Sequence, residues 1–200
     1  MDVFEAIESR RAVKAYDPDY VMPEEDLQKL LLAGRLAPSA FNIQHPRFVV
    51  VKDPELRRQI RAVSWDQAQV TDASVLIVVC ADLKAWDKNP ARYWRDAPEP
   101  VRDFMVPAIQ QYYASREQAQ RDETMRSCGL AAQNIMLAAR GLGLDSCPMD
   151  GFDFDAVAEL IRLPEDHVIS MFVVVGKRIK DPNPRTGPIP AEEQVIVDRF

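Results

Sequence analysis

Histidine is scarce: His45 and His167 are the only two in 200 residues. A zinc site built from clustered His and Cys therefore has no spacing to support it. A Ser–His–Asp triad would have to use one of those two imidazoles, and no G-x-S-x-G turn is present. Glycine is scarce too, with seven residues, and no G-x-x-x-x-G-K-[ST] phosphate loop occurs. The nearest approach to a dinucleotide fingerprint is Gly141-Leu-Gly143. It lacks the third glycine and follows a helical pattern, so a helix C-terminus explains it better.

The three cysteines, Cys80, Cys128 and Cys147, are odd in number and far apart. That suits reduced, buried thiols and not a disulfide framework. No apolar run approaches the roughly 18 residues that cross a bilayer. The start, MDVFEAIESRR, has no greasy middle or small-residue cleavage site. A cytoplasmic protein with no membrane contact is expected. The net charge of −6 disfavours nucleic acid and anionic lipid as partners. The basic residues are then to be read as local sites.

The apolar share, 47%, is enough for one core in a chain of this length, so a single domain over 1–200 is expected. Residues 3–9 read as a short helix ending at Arg10–Arg11. Tyr16–Val21 reads as extended. Pro23 opens a helix with Glu24, Glu25 and Asp26 in its first turn, where carboxylates suit the dipole. Arg47–Val51 reads as a strand, and Pro54–Val63 as a helix begun by Asp53–Pro54. Ser74–Ala81, SVLIVVCA, is a continuous apolar run expected of a strand covered on both faces. Met125–Leu142 is a long helix, with Met125, Cys128, Ala132, Ile135, Met136 and Ala139 on one stripe. Leu144–Cys147 and Val168–Val175 complete four strands, with a helix at Phe154–Ile161 between them. Four strands separated by helices give an α+β or α/β layered domain. Residues 83–123, polar and aromatic, read as a helical insertion that covers a site or a partner, or as an ordinary amphipathic hairpin. The tail from Asp181 holds four of the fifteen prolines and reads as an extended arm.

Several motifs stand in one order along the chain: SRRAVKAYD (9–17), APSAFNIQ (37–44), DQAQVTDASVLIVVCAD (66–82), GLAAQNIMLAARGLGLD (129–145) and CPMDGFD (147–153). Together they resemble the nitroreductase family of flavoproteins. The first is similar to its R-R-S-x-R-x-[FY] opening, the second to its P-S-x-x-N-x-Q-P-W segment, and the last to its P-x-[ED]-G-F segment. The resemblance implies an α+β nitroreductase-like fold, a mixed central sheet flanked by helices, in an interlocked homodimer. It implies non-covalently bound FMN, NADH or NADPH as donor, and no metal. Ping-pong hydride transfer to small acceptors such as nitroaromatics and quinones would follow.

The resemblance also implies roles. Arg10 and Arg11 would contact the FMN phosphate or ribityl chain, although by themselves they read as a solvated helix end. Lys14 would face the pyrimidine edge of the ring, where an ammonium stabilises the anionic reduced flavin. Pro38 and Ser39 would pass beside the cofactor, with polar contacts from Asn42 and Gln44. Gln67 and Gln69 would serve the ribityl chain or ring edge. Pro148, Met149, Asp150 and Gly151 would lie along one ring face, with a main-chain N–H at Asp150 or Gly151 aimed at N5. Arg185 would reach the phosphate from the C-terminal arm, in the other subunit.

The chain departs from the family pattern at several positions, among them Asp150 in place of the more frequent Glu, where only the backbone is required. Ala12 replaces a frequent Ser. Asp66 replaces Asn, and is expected to point away from the ring or to pair with Lys14. His45–Pro46 replaces Pro–Trp. Other functions remain open at this level: a same-fold enzyme with a dedicated substrate such as an iodinated aromatic, a flavin carrier without turnover, and a partner-binding module without a cofactor.

Overall fold

The computed structural model describes all 200 residues. In chain order the elements are α1 (Val3–Ser9), α2 (Glu24–Arg35), β1 (Pro46–Val51), α3 (Pro54–Ala62), α4 (Gln69–Asp72), β2 (Val75–Asp82), α5 (Ala85–Lys88), α6 (Glu99–Tyr113), α7 (Glu117–Gly141), β3 (Asp145–Met149), α8 (Phe154–Leu160), β4 (His167–Gly176) and α9 (Ala191–Gln194). Single 3-10 turns lie at Ala40–Asn42 and Pro90–Trp94.

The helix starts follow local chemistry. Asp2 and Glu5 form a reciprocal capping box on α1. Asp53 caps α3 just before Pro54, and Asp153 caps α8. Helix α7 ends where Leu144 N–H bonds back to the Ala139 carbonyl (2.9 Å) and Gly143 takes φ 75°. That helix begins eight residues before the expected Met125. Its early turns carry no apolar stripe, but Gln118–Asp122 and Arg126–Glu123 side-chain bonds, at 2.6 Å each, support them.

The sheet order is β1-β2-β4-β3, with every named pair antiparallel. A single parallel bridge, Ala12 with Ser146, gives it a mixed character at the β3 edge. Strand β2 is buried along its whole length. Its alternate residues face two separate cores. Leu76, Val78 and Cys80 pack with Ile60 of α3 and Val157 of α8. Val75, Ile77, Val79 and Ala81 pack with Leu27 and Leu30 of α2 and with the Cys128–Ala139 stripe of α7. A third, smaller cluster (Ile43, Ala85, Trp86, Ile109, Tyr113) lies under residues 85–113 and anchors them. The tail from Asp181 is exposed and extended except for α9.

Close packing of α2 on α7 depends on Gly34. A Cβ there would meet Ile135 Cδ1 at 2.9 Å and Phe48 Cζ at 3.0 Å. Gly34→Ala gains helix propensity of about 1 kcal/mol, but overpacking costs about 1–3 kcal/mol. The expected result is a lower urea midpoint; an unchanged or raised midpoint would show that the α2–α7 seam is loose.

Candidate functional site

The N-terminal motif is held against the β3 edge of the sheet. Val13 N–H donates to the Ser146 carbonyl at 3.1 Å. On the other side, Asp17 N–H donates to Lys177 (2.8 Å) and Ile179 N–H to Ala15 (3.2 Å). This threading brings the chain after β4 back to the end of α1. Arg185 then donates to the carbonyls of Ile7 (3.1 Å) and Arg10 (3.2 Å) of its own chain. Arg11 donates to the Glu8 carbonyl at 2.6 Å. Three guanidinium groups, Arg10, Arg11 and Arg185, therefore share the C-terminal end of α1, where the exposed carbonyl dipoles favour cations. Burial, then the charges of Arg185 and Arg11, pull the Arg10 pKa below its ordinary value. None of the three, nor Lys14, forms an ion pair with a carboxylate within 4.0 Å.

Arg10 and Lys14 lie close enough to Cys147 for their charges to favour its thiolate, although burial dominates and pushes that thiol up. The segment Pro148–Gly151 continues from there. Gln67 ties it in place, donating to the Gly151 carbonyl at 2.7 Å and to Ser64 at 3.1 Å. Gln69, buried, donates to Gln67 Oε1 at 3.0 Å. Both glutamine amides are thus committed to protein partners. Gly151 also leaves room for a neighbouring side chain: a Cβ there would meet the Trp65 ring at 2.7 Å and displace it. Trp65 and Asp66 both take left-handed backbone, φ 53° and 52°, and Trp65 is 79% exposed. The sequence gives no sign of Trp65's role, because backbone strain at a non-glycine residue leaves no compositional mark. Asp66 points away from Lys14 and pairs with Arg61 at 2.7 Å.

A second group is formed by Pro38, Ser39, Asn42 and Gln44. Three of four consecutive residues, Phe41, Asn42 and Gln44, have φ of 53°, 57° and 53°. Such conformations cost about 1–3 kcal/mol each and persist only where the surroundings hold them. Ser39 Oγ accepts from Gln44 N–H at 2.8 Å. Asn42 Nδ2 donates to the Tyr93 carbonyl at 2.9 Å, and Trp94 Nε1 to the Phe41 carbonyl at 3.1 Å. The clamp residues Tyr93 and Trp94 were not singled out as such from the sequence; their aromatic character was the available signal.

Within one chain the two groups do not meet. The first flanks β3 and the second leads into β1, the opposite outer strand. Tracing register through the sheet, Cys147 sits level with Val51, at the far end of β1 from Pro46. Strand spacing and rise then separate the groups by roughly 20 Å.

His45 ends the loop that leads into β1. It is buried, and its Nδ1 lies 3.2 Å from Ser127 Oγ. Ser127 spends its own proton on the Glu123 carbonyl at 2.8 Å. His45 therefore carries its proton on Nδ1 and donates it to Ser127. Burial, helped by Arg47, lowers its pKa to about 4.

The sequence profile of the Nitroreductase family matches residues 7–177, and the chain belongs to that family. Protein DrgA of Synechocystis is 53% identical over 181 residues, covering 90% of this chain and 86% of its own length. A Bacillus subtilis protein named "Putative NAD(P)H nitroreductase MhqN" is 30% identical, covering 86% of each. A crystal structure from Exiguobacterium sibiricum, described as a "putative nitroreductase in complex with FMN", superposes with a TM-score of 0.90 at 30% identity, over 98% of this chain and 97% of that one. The fold is therefore the α+β nitroreductase fold.

His45 makes the stability depend on pH. The folded state keeps the imidazole neutral down to about pH 4. The unfolded chain takes up the proton below about pH 6.5, so stability is full above that and falls as pH drops toward 4, by on the order of 3 kcal/mol. Urea unfolding of His45→Gln against the parent should show a shallower loss across this window; parallel curves would contradict the assignment.

Proposed function

We propose that the protein is an FMN-dependent oxidoreductase that passes electrons from NAD(P)H to small electron-poor acceptors such as quinones and nitroaromatics. The observation that carries this is the cluster of Arg10, Arg11 and Arg185, with Lys14 beyond it, none ion-paired with a carboxylate. Mutually repelling guanidinium groups are stable together when an anion such as a phosphate lies among them. The donor set fits FMN: forks for the phosphate, an ammonium toward the ring, and the backbone of Pro148–Gly151 for a ring face. The names of MhqN and of the FMN-bound structure support the same cofactor and donor.

The flavin supplies hydride transfer when bound, and the chain supplies position and charge. Arg10, Arg11 and Arg185 would hold the phosphate. Lys14 would place a positive charge where reduction makes the ring negative. A backbone N–H at Asp150 or Gly151 would serve N5. No side-chain acid or base is assigned a role, in accord with so few histidines. Donor and acceptor use one shallow pocket in turn.

The site is shared between two copies of the chain. One contributes the Arg10 group and the other the Pro38, Ser39, Asn42 and Gln44 group, since a single chain keeps them apart. Exposed apolar side chains on α1, α2 and α7 (Phe4, Ile7, Leu32, Leu130) supply a face for that contact. In this reading the tail from Asp181 is a dimer arm and residues 83–123 form a lid.

The purified protein is expected to be yellow, dimeric by sedimentation, and to oxidise NADPH with a quinone. Arg10→Gln with Arg185→Gln should weaken FMN binding by about ten- to a hundredfold, read by flavin fluorescence. Lys14→Gln should bind FMN but make its potential more negative. A colourless protein that takes up no flavin overturns the proposal; a yellow protein without turnover identifies a flavin carrier instead. Co-expression of Arg10→Glu with Asn42→Asp should restore activity through mixed dimers holding one intact site; no restoration rejects the shared site.

A further inference from the structure

A cleft of about 610 Å³ opens beside the second group, walled by the end of α2, the start of β1 and the Pro90–Trp94 turn. Asn42 and Gln44 reach it from the strained loop. In a chain of net charge −6, four arginines line this cleft against a single carboxylate, Asp96. Two of them are already engaged. Arg47 pairs with Asp82 at 3.5 Å and donates to the Gln44 carbonyl at 2.8 Å, and Arg95 pairs with Asp96 at 3.3 Å. Arg35 and Arg92 have no carboxylate within 4.0 Å. The Arg92 guanidinium lies 5.6 Å from the Tyr93 ring centroid, so an aromatic surface and a free charge stand together. A second cleft, along α3, is also rich in cations, but all are engaged: Lys52, Arg58 and Arg61 pair with Glu24, Glu55 and Asp66, and Arg57 donates to the Val70 and Ala73 carbonyls.

We propose that Arg35 and Arg92 form a phosphate-monoester site that selects NADPH over NADH. This rests on the oxidoreductase reading above. The two nucleotides differ only by the phosphate on the adenosine ribose, a dianion suited to guanidinium recognition. An overall acidic protein repels a polyanionic donor at long range, so local cations decide which donor is retained. A dinucleotide is long enough to have its nicotinamide end near the Asn42–Gln44 loop and its adenosine end in the cleft. Tyr93 offers a flat face for the adenine.

The test uses the FMN-loaded protein and its Arg35→Gln, Arg92→Gln and double variants, with a neutral quinone as acceptor. The parent is expected to prefer NADPH in kcat/KM. The double variant should lose about ten- to a hundredfold of that preference, through KM for NADPH, with NADH kinetics and bound FMN unchanged. Calorimetric titration with adenosine 2′-monophosphate and adenosine 5′-monophosphate reads the cleft without turnover. The 2′-compound should bind tighter to the parent and lose that advantage in the double variant. This second arm still decides the matter if the protein proves not to oxidise either nucleotide. No NADPH preference in the parent, an unchanged ratio in the double variant, or equal loss for both donors overturns the proposal. So does a change confined to a carboxylated nitroaromatic relative to a neutral one, which would assign the cleft to the acceptor.

Discussion

The arrangement depends on a short run of backbone hydrogen bonds around residues 13–17. Val13 bonds to β3 on one side, while Ala15 and Asp17 bond to the chain leaving β4 on the other. This strip closes the β3 edge, which would otherwise expose unpaired N–H and C=O groups. It also fixes Arg10, Arg11 and Lys14 relative to Pro148–Gly151 and returns Arg185 to the end of α1. Four cations drawn from both ends of the polypeptide are gathered by main-chain bonding and not by attraction for each other. Their mutual repulsion must be outweighed by that framework.

The two cores explain why the framework is stiff enough. β2 presents alternate side chains to two layers, so its position is fixed from both faces. The strained loops sit at the borders of this layered body. Phe41, Asn42 and Gln44 are held by the turn at Pro90–Trp94, and Trp65 and Asp66 by Arg61 and Gly151. Five non-glycine residues in these two loops take left-handed backbone, as Arg162 and Asp198 do elsewhere. Each loop lies beside one of the two residue groups.

Much of this was legible in the sequence. The run SVLIVVCA announced a doubly covered strand, and Asp53–Pro54 announced the start of α3. The motifs around Arg10, Asn42 and Gly151 announced the family. The full length of α7 was not, because its first two turns are held by polar side-chain pairs that carry no apolar period. Nor was the separation of the two motif groups, since order along a chain says nothing about which edge of a sheet each motif reaches. Gly151 was expected to admit a ring closely; in the fold its missing side chain makes room for Trp65. Gln67 and Gln69 were given cofactor contacts by the family resemblance; in the fold Gln67 donates to Gly151 and Gln69 to Gln67. Arg185 was expected to cross to another subunit, and here it folds back on its own α1.

The Asn42–Tyr93 and Trp94–Phe41 bonds run from the insertion's main chain and indole to the backbone and amide of the loop before β1. Two of their four partners are carbonyl oxygens, which any amino acid provides. Neither bond depends on the side chain of Tyr93 or of Phe41, whose rings serve packing instead. The side chains the joint itself requires are Asn42 and Trp94, so one amide and one indole hold the shape of the loop.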